Sequence, residues 1–495
     1  IQPMRYIQIH PRDNVAVALE DLHKGETAIV ELTEDIARGH KFALRPIAKG
    51  EKVIKYGMPI GIAKCDIALG AKVHTHNLGT ALSGVLDYTY EPEAAHAPVP
   101  AQKEVFFEGF RRKDGRVGIR NNLWIVPTVG CVNRLAVNLA NAANRQLLPK
   151  GSMDHAVALT HPYGCSQLGA DHELTRLLLA DFVRHPNAGA VLVVGLGCEN
   201  NTVARFREEL GEYDSERIRF LVAQDGEDEF ESGMKILTEL AEIAQHDKRE
   251  KISARELVVG LKCGGSDGLS GITANSLVGK FSDRLSALGG TTVLSEVPEM
   301  FGAETILMNR CVSRKIFDKC VDMINSFKKY FMRYNQVIYE NPSPGNKEGG
   351  ISTLEDKSMG CTQKAGSAQV IDVLPMGGRV VEPGLNLLNG PGNDMVATTL
   401  LTAAGAHLVL FTTGRGTPFG GVVPTLKIAS NSALAAKKPH WIDFNAGRLV
   451  EDGTSAEAVA DEFFRLVMDT ASGKPAKNEE HGFEEIALFK DGVTL

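Results

Sequence analysis

The sequence predicts an α/β protein in which a small β-rich domain precedes two α/β domains with largely parallel sheets. Uninterrupted apolar runs of strand length, such as residues 190–195, end in glycine and are followed at once by polar side chains. Such runs are typical of strands that are covered on both faces in a parallel sheet. Helical patterns alternate with these runs after residue 105, which indicates right-handed βαβ units. A chain of 495 residues is also too long for one ordinary core, and about three domains are expected.

The domain boundaries follow from shifts in composition. Residues 1–90 form the β-rich unit, because short alternating stretches are separated by glycine-containing turns. Residues 91–104 are rich in proline and alanine without periodicity, and we interpret them as a semi-stiff linker. The first α/β domain is predicted over residues 105–250, with a charged break at 247–251, and the second over residues 251–495.

Hydrophobic periodicity assigns the individual elements. Alternation predicts strands in the first domain at 14–19, 27–32 and 52–56. The spacing of apolar residues predicts helices at 131–148, 172–185, 230–245, 316–331 and 456–471. In the C-terminal domain, strands are predicted at 257–261, 292–294, 370–373 and 407–411.

The composition excludes several classes of protein. A hydrophobic content of 43% and a charged content of 23% are those of an ordinary globular protein. The net charge of −7 argues against non-specific nucleic-acid binding, and no apolar run approaches the roughly 20 residues that span a bilayer. The first residues lack the pattern of a signal peptide, and the eight cysteines form no short-range disulfide framework. We therefore expect a cytoplasmic protein with reduced thiols and no membrane or nucleic-acid partner, while a homo-oligomer stays open.

Four apolar runs are each followed by a cysteine at the C-terminal end of the predicted strand. These are Cys131, Cys165, Cys198 and Cys263. A single such cysteine is more often a small buried hydrophobe than a functional group. Ligands of parallel sheets, however, lie outside the carboxyl ends of the strands, and neighbouring glycines let a ligand approach the backbone. Taken together, the four cysteines favour a binding site, to which His161 adds an imidazole four residues before Cys165.

Glycine-rich connections of the C-terminal domain carry further polar groups. Lys347 and Arg415 lie in such loops, where cations fix an anionic substrate through charge-assisted hydrogen bonds. Asp267 and Asn275 lie in the loop after Cys263 and are candidate substrate-binding residues. Lys364 is a candidate base if it is buried beside a metal, and an ordinary exposed lysine otherwise.

Two further groups leave their role open. Glu296 and Glu299 flank a proline turn and either hold a divalent cation, act as acid and base, or cap a helix. His40 and Lys41 follow a glycine at a turn, which either presents them to a neighbouring domain or leaves them in a solvated loop. No GxGxxG follows the first strand and no GxxxxGK[ST] occurs, so nucleotide binding is unsupported. The segment 264–268 matches the GxSxG motif of serine hydrolases, but no downstream histidine stands out as its catalytic partner, which argues against a hydrolase.

Several long strings nevertheless resemble one family over essentially the whole chain. They are Arg38-Gly-His-Lys41, His161-Pro-Tyr-Gly-Cys-Ser-Gln167, Val194-Gly-Leu-Gly-Cys-Glu-Asn200, the segment 263–275, the segment 341–347 and Phe411-Thr-Thr-Gly-Arg-Gly-Thr-Pro418. The chain resembles the altronate/galactarate dehydratase family, and the segments 357–366 and 487–495 look more like its altronate branch.

The resemblance implies an N-terminal domain of the SAF (antifreeze-like) type and a hydro-lyase of hexuronate catabolism. Its implied reaction converts D-altronate to 2-dehydro-3-deoxy-D-gluconate, with galactarate or another sugar acid as the alternative substrate. It also implies dependence on Fe(2+), or alternatively on Mn(2+) or another divalent metal. A non-catalytic sugar-acid binding protein is the competing class, and an NAD-dependent dehydrogenase is disfavoured by the missing fingerprint.

A mechanism that fits this reaction starts with removal of the C2 proton and continues with loss of the 3-hydroxyl. We expect His40 or Lys41 to act as base or acid from a small domain that closes over the substrate. A metal would stabilise the enediolate, and we place it at the Gly-Cys tips, on some of His161, Cys165, Cys198 and Cys131. An iron–sulfur cluster on three cysteines is the less favoured variant. Arg415 and Lys347 are expected to hold the substrate carboxylate.

Overall fold

The structure is a computed structural model that describes residues 4–93, 103–451 and 453–495. Most of the predicted linker, residues 94–102, lies outside the described residues. The predicted class is confirmed: a small β domain is followed by α/β units with parallel sheets.

Two small antiparallel sheets build the N-terminal domain. Its strands are β1 (Tyr6–Ile7), β2 (Val15–Ala18), β3 (Lys41–Ala43), β4 (Lys52–Lys55), β5 (Met58–Ala63), β6 (Lys72–Val73) and β7 (Leu78–Gly79). They pair in the orders β1-β2-β3-β6 and β4-β5-β7. The predicted strand at 27–32 is wrong, because this stretch holds only an isolated bridge between Thr27 and Glu31 and leaves Ile29 exposed. An alternating pattern without a core to face does not form a strand.

The middle domain is built on a four-stranded parallel sheet in the order β11-β10-β12-β13. These strands are β10 (Asn122–Pro127), β11 (Ala156–Ala158), β12 (Ala188–Gly195) and β13 (Ile218–Val222), and the helices are α1 (Asn133–Gln146), α2 (Gly169–Val183), α3 (Val203–Leu210) and α4 (Glu229–Ala244). Helices α1 and α4 cover one face and α2 and α3 the other. The sequence missed β13 and α3, because both are short and partly exposed.

A separate antiparallel sheet joins the start and the end of this domain. It contains β8 (Phe106–Arg111), β9 (Val117–Gly118) and β14 (Glu250–Ser253), in the order β14-β8-β9. The charged segment 247–251, predicted as a break between domains, therefore runs directly into a strand. The predicted boundary at residue 250 falls at the first residue of β14.

The C-terminal domain holds a seven-stranded parallel sheet in the order β17-β18-β16-β15-β19-β20-β21. Its strands are β15 (Val258–Cys263), β16 (Thr291–Leu294), β17 (Val370–Leu374), β18 (Leu385–Leu388), β19 (Leu408–Thr413), β20 (Thr425–Ala429) and β21 (Phe444–Asn445). Its helices are α5 (Ala274–Ala287), α6 (Glu304–Asn309), α7 (Arg314–Arg333), α8 (Pro344–Glu348), α9 (Leu354–Thr362), α10 (Asp394–Ala403), α11 (Ser432–Lys437), α12 (Ala456–Ala471) and α13 (Lys477–Glu480).

The four predicted strands and two predicted helices of this domain are present, each within a few residues of its expected bounds. Strands β18, β20 and β21 were missed: Asn386 interrupts the apolar run of β18, Lys427 interrupts that of β20, and β21 has only two residues. None of the helices in the described ranges is long and apolar enough to cross a membrane.

A buried arginine ties the middle domain to the C-terminal domain. Arg120 precedes β10 and donates to both carboxylate oxygens of Glu479, at 2.8 and 3.0 Å. Its guanidinium also donates to the carbonyls of Thr470 and Lys474, at 2.8 Å each. Because the charge is buried and its donors are satisfied, removing one partner would leave the other uncompensated.

We predict that Arg120→Met lowers the free energy of unfolding by about 3 kcal/mol, since it leaves the Glu479 carboxylate buried without its partner. Arg111→Met is the matched control, because Arg111 also contacts two carboxylates but its side chain is 38% exposed. Exposed ion pairs contribute under about 1 kcal/mol. The measurement is urea unfolding of both variants; equal shifts of their midpoints would contradict the assignment of Arg120 as a tie between domains.

Candidate active site

Buried charged side chains gather at the carboxyl ends of the central strands of the seven-stranded sheet. Strand β15 ends with Lys262 and Cys263, and Glu296 follows β16. Asp394 begins α10, which follows β18. Because β18, β16 and β15 are consecutive neighbours in the sheet, their carboxyl ends present these groups at a single edge, where ligands of such sheets bind.

Two lysines share the carboxylate of Glu296. The Lys262 ammonium donates to one oxygen of Glu296 and, at 2.7 Å, to Asp394. The Lys364 ammonium donates to the other oxygen at 3.0 Å. Burial opposes the charged form of each lysine most strongly, but Glu296 together with the other anionic neighbours outweighs burial and raises the pKa of both. Lys364 therefore stays protonated at neutral pH, which argues against its predicted role as a base and makes it a fixed cation.

Glu299 lies beside this group and faces an open cleft. Its carboxylate contacts the Lys357 ammonium at 2.8 Å and accepts from the Cys361 thiol at 3.3 Å. Burial opposes ionisation of Glu299, yet the Lys357 charge lowers its pKa below the ordinary value. Glu299 and Lys357 line a cleft of about 320 Å³, with an aromatic wall formed by Phe327, Tyr330 and Phe331. A carboxylate and a cation thus border a space at the sheet edge.

The thiol of Cys263 receives several hydrogen bonds at the tip of β15. Its sulfur lies 2.6 Å from the Ser266 hydroxyl, and the Asn275 amide donates to it at 3.8 Å. The neighbouring Cys361 thiol lowers the pKa of the Cys263 thiol, and the pKa of Cys361 is raised in turn. Both cysteines are buried and free. The structure therefore has a thiolate-prone sulfur at the predicted strand tip, in a different sheet from the other three Gly-Cys tips.

Helix α9 is buried along its whole length although it contains Asp356 and Lys357. Asp356 lies between two lysines of the N-terminal domain, at 3.0 Å from Lys41 and 2.9 Å from Lys55. Lys41 also donates to the Ser352 hydroxyl and, at 3.2 Å, to the carbonyl of residue 350. These bonds fix the N-terminal domain on the C-terminal domain beside the sheet edge.

The shared carboxylate separates the proton affinities of the two lysines. Burial lowers the pKa of Lys41 to about 8, with a further contribution from the nearby charge of Lys55. Burial opposes the charge of Lys55 as well, but Asp356, with help from Tyr56 and Asp13, outweighs burial and raises the pKa of Lys55. One carboxylate compensates one buried ammonium, so Lys41 is the group that gives up its proton first.

His40 lies at the same interface and is held by the C-terminal domain. Its Nε2 lies 3.0 Å from the carbonyl oxygen of Glu348, whereas its buried Nδ1 has no hydrogen-bond partner within the described part of the chain. Its ring packs edge-on against His74, with centroids 4.8 Å apart. Burial lowers the pKa of His40, so the ring is neutral at neutral pH. The contact is close: a Cβ on Gly268 would lie 1.8 Å from the carbonyl oxygen of Gly39.

The predicted substrate-binding residues fall around this interface in two groups. Arg415 contacts Glu348 at 3.2 Å with nearly half of its side chain exposed, and Lys347 is the preceding residue of α8. Asp267 and Asn275, by contrast, are engaged in the protein. Asp267 accepts from Ser430, Asn431, Ser270 and the Leu269 amide, and Asn275 bonds Thr412, Cys263 and the Gly360 carbonyl. Asp267 and Asn275 therefore organise the loop, whereas Arg415 pairs with the exposed Glu348 at the rim of the interface.

The predicted metal ligands lie elsewhere, at the carboxyl edge of the four-stranded sheet. Cys131, Cys165 and Cys198 are exposed there, but His161 is buried and both of its ring nitrogens are occupied. Its Nε2 bonds the Pro127 carbonyl at 2.8 Å, and its Nδ1 accepts from the Tyr163 amide at 3.1 Å. Among the described residues, no three His, Cys, Asp or Glu side chains are arranged to hold one metal ion. His161 in this arrangement supports a loop.

Several residues of the site escaped sequence reasoning. Lys262 left a signal, because a lysine in the buried run of β15 requires a partner inside the protein. The sequence gives no signal for Asp356, Lys357 and Lys55. Charged residues in short segments are usually exposed, and these are buried only because other elements pack around α9.

Comparison with known protein families accounts for most of the chain. The model described as altronate/galactarate dehydratase SAF domain matches residues 4–81. The model of the second domain of D-galactarate dehydratase/altronate hydrolase matches residues 109–245, and the C-terminal model of D-galactarate/altronate dehydratase matches residues 254–494.

Individual relatives align over nearly the full length. The altronate dehydratase of Escherichia coli (strain K12) is 56% identical over 498 residues, covering 99% of this chain and 100% of that protein. The altronate dehydratase of Bacillus subtilis (strain 168) is 53% identical over 495 residues, covering 99% of each. The galactarate dehydratase (L-threo-forming) of Escherichia coli (strain K12) is 33% identical over 494 residues, covering 95% of this chain and 93% of that protein.

We predict that Glu296→Gln destabilises the protein by about 3–5 kcal/mol, because it leaves two buried ammonium groups without their shared carboxylate. Asp394→Asn is the matched control: Asp394 contacts the same Lys262, but its side chain is 39% exposed, so water replaces part of the lost interaction. Thermal unfolding followed by circular dichroism compares the two. A loss for Glu296→Gln no larger than that for Asp394→Asn would contradict the account of the buried cluster.

Proposed function

The chain belongs to the altronate/galactarate dehydratase family and is a hydro-lyase, and we propose that it converts D-altronate to 2-dehydro-3-deoxy-D-gluconate and water. The observation that carries the choice of substrate is the full-length similarity to two altronate dehydratases, which clearly exceeds that to the galactarate dehydratase. The buried acid–base groups at the sheet edge and at the N-terminal interface supply chemistry suited to such a reaction.

The reaction requires a base, an anion site and a proton donor. The C2 proton of a sugar acid is weakly acidic, and its removal places further negative charge next to the carboxylate. Breaking the C3–O bond then releases the 3-hydroxyl, which leaves as water when it receives a proton. The remaining enol tautomerises to the 2-ketone. Cations near the carboxylate favour the charged intermediate over the substrate, which is how they accelerate the first step.

Lys41 is the proposed base. A base must be neutral before it accepts a proton, and the lowered pKa of Lys41, about 8, leaves part of the population neutral near pH 7 to 8. Lys55 keeps Asp356 compensated when Lys41 is neutral. After accepting the C2 proton, the Lys41 ammonium is a proton donor in the same place, suited to the departing 3-hydroxyl. His40, neutral and with a free Nδ1, is the neighbouring acceptor for a substrate hydroxyl.

The substrate must enter where the N-terminal domain meets the C-terminal domain, and this requires the domains to separate. The space enclosed between them, bordered by Lys55, Asp267 and Asp356, is only about 10 Å³, enough for about one water molecule. We propose that the N-terminal domain opens to admit the sugar acid and closes over it, which excludes water from the acid–base groups. Lys347 and Arg415, at the rim of this interface, bind the substrate carboxylate.

Dependence on Fe(2+) or another divalent metal remains part of the proposal. The predicted mononuclear set does not fit, because His161 is occupied by backbone groups and the described residues form no three-ligand arrangement around one ion. The buried carboxylates of the sheet edge are already paired with lysines.

Turnover of D-altronate by the purified protein, prepared without oxygen and assayed with and without Fe(2+), tests the proposed function. We expect a 2-keto-3-deoxy acid as product and slower turnover of galactarate. Faster turnover of galactarate than of D-altronate would contradict the proposed substrate. Binding of both acids without any turnover would favour a sugar-acid binding protein instead.

We predict that Lys41→Met abolishes exchange of the C2 proton of altronate with deuterated solvent, by at least about 100-fold, because no other neutral amine lies at that position. His40→Ala is the comparison variant and should retain exchange while slowing turnover. Nuclear magnetic resonance of the substrate follows the exchange. Undiminished exchange in Lys41→Met would eliminate Lys41 as the base.

The pH dependence gives a separate prediction. Since only neutral Lys41 accepts a proton, kcat/KM should rise with pH and level off above about 8. Asp356→Asn removes a charge that raises the pKa of Lys41, so the rising limb should move to lower pH in that variant. If the rise of kcat/KM with pH stays at the same pH in a folded Asp356→Asn protein, a group other than Lys41 controls the pH dependence.

Loss of the rim cations should weaken substrate binding more than turnover. We predict that Arg415→Ala and Lys347→Ala raise KM by about 10-fold or more with a smaller change in kcat, because each removes a charge-assisted bond to the carboxylate. Arg448→Ala is the control, since Arg448 pairs with Glu462 on an exposed surface. A KM that stays unchanged in both rim variants would place the carboxylate elsewhere.

A further inference from the structure

A tyrosine at the tip of the β4–β5 hairpin has an unfavourable backbone conformation. The two residues between β4 and β5 are Tyr56 and Gly57, and both have positive φ angles, of 59° and 72°. Hairpin turns of this kind favour Asn-Gly or Asp-Gly, because most side chains are strained there. A bulky residue with positive φ is an outlier, and such strain is common at functional sites. The position of Tyr56 therefore points to a requirement for its side chain.

A buried carboxylate holds the turn in this conformation. Asp13, only 5% exposed, accepts from the Tyr56 amide at 3.2 Å and from the Gly57 amide at 2.7 Å. A Cβ on Gly57 would lie 2.9 Å from the His10 ring, so the turn also packs closely against the segment before Asp13. The turn is thus fixed by the protein around it and not by its own preference.

The phenol of Tyr56 reaches into the C-terminal domain. A Cβ on Gly271 would lie 2.1 Å from the phenol oxygen, and a Cβ on Gly360 would lie 3.4 Å from it. Because Gly271 lies just before α5 and Gly360 belongs to α9, the phenol oxygen lies between these two elements. The Thr353 hydroxyl, at the start of α9, donates to the Ile60 carbonyl of β5 and holds the hairpin there. The phenol has room at this place because residue 271 carries no side chain.

The phenol borders the small space enclosed between the two domains. Tyr56 lines the same cavity of about 10 Å³ that is bordered by Lys55 and Asp356. Among the described residues, none forms a hydrogen bond with the Tyr56 hydroxyl. The Lys55 ammonium lies 5.1 Å from the centroid of the Tyr56 ring. A donor without a partner in the protein thus faces the space that the substrate is proposed to occupy.

Burial keeps the phenol protonated, and a nearby cation favours the anion that it leaves. Burial raises the pKa of Tyr56 to about 12, while the Lys55 charge acts in the opposite direction. At neutral pH the phenol is therefore a neutral hydrogen-bond donor. It is still a stronger acid than water, whose pKa is about 15.7, so transfer of its proton to a departing hydroxide is favourable. The Lys55 ammonium compensates the phenolate that results.

We propose that Tyr56 is the catalytic acid that protonates the departing 3-hydroxyl of the sugar acid. This role rests on the dehydration proposed above, and the Lys41 ammonium is the alternative donor. As the C3–O bond breaks, its electron pair stays with the oxygen, which takes the phenol proton and leaves as water. The enediolate electrons form the C2–C3 double bond of the enol. When the product leaves, the Tyr56 phenolate regains a proton and Lys41 gives up the one taken from C2, so the two changes cancel.

The variant Tyr56→Phe tests this role, because it removes only the hydroxyl and keeps the ring. We expect kcat for dehydration to fall at least about 100-fold, while exchange of the C2 proton with deuterated solvent continues, since Lys41 is intact. Recovered substrate should therefore carry deuterium at C2. Tyr6→Phe is the matched control, because it removes a phenol hydroxyl from the same domain, where the Tyr6 ring packs on Phe42. An unchanged kcat in Tyr56→Phe would overturn the proposal.

An altered leaving group separates loss of the acid from a general disturbance of the site. Fluoride leaves carbon without taking a proton, so the 3-deoxy-3-fluoro analogue of altronate does not need the acid. Tyr56→Phe should therefore eliminate fluoride from this analogue at nearly the rate of the parent protein. Equal losses of rate with altronate and with the fluoro analogue would show that the variant disturbs the site in another way, and would overturn the assignment of Tyr56 as the acid.

Comparison of two sugar acids separates this role from the proposed substrate. A parent protein that dehydrates galactarate but not D-altronate overturns the proposed function, and a 100-fold lower kcat of Tyr56→Phe on galactarate would still uphold the role of Tyr56. A parent protein that dehydrates D-altronate, with the same kcat in Tyr56→Phe, upholds the function and overturns the role of Tyr56.

Discussion

The carboxylate of Asp356, shared between two lysines of another domain, is the interaction on which the site depends. Burying three charges is costly unless each is paired and hydrogen-bonded, and here one carboxylate serves two ammonium groups. The arrangement compensates one positive charge fully and leaves the other with a lowered proton affinity. Structural attachment of the N-terminal domain and the creation of a basic amine are therefore consequences of the same contact.

Helix α9 carries this contact into the rest of the site. Asp356 faces the N-terminal domain, and the next residue, Lys357, pairs with Glu299 at the sheet edge. Beyond Glu299, the carboxylate of Glu296 joins Lys262 and Lys364. Lysines and carboxylates thus alternate along this path, so that each of these buried charges lies beside an opposite charge. Such a network is rigid, because moving one member leaves another unpaired. It holds the sheet edge and the attached N-terminal domain in place.

The sequence predicted the architecture well because its signals are local. Apolar runs ending in glycine identified β10, β12 and β15, and amphipathic spacing identified α7 and α12. Short or half-exposed elements such as β13 and β18 lack such patterns. The Gly-Cys tips were assigned to one centre, but strand order divides them between two sheets: Cys263 lies in the C-terminal domain, and the other three lie in the middle domain. Strand order depends on contacts between distant segments, which spacing along the chain does not encode.

The site was predicted less completely for the same reason. His40, Lys41, Lys347 and Arg415 do meet at one interface, since loops at the edge of a sheet converge. The partners that set their chemistry, Asp356 above all, come from a buried helix without an amphipathic pattern. Direct titration of the Lys41 side chain by nuclear magnetic resonance, assigned with Lys41→Arg, tests the central claim. A midpoint near pH 8 agrees with the shared carboxylate; an ammonium that persists to its ordinary range, about 10.4 or above, would contradict it.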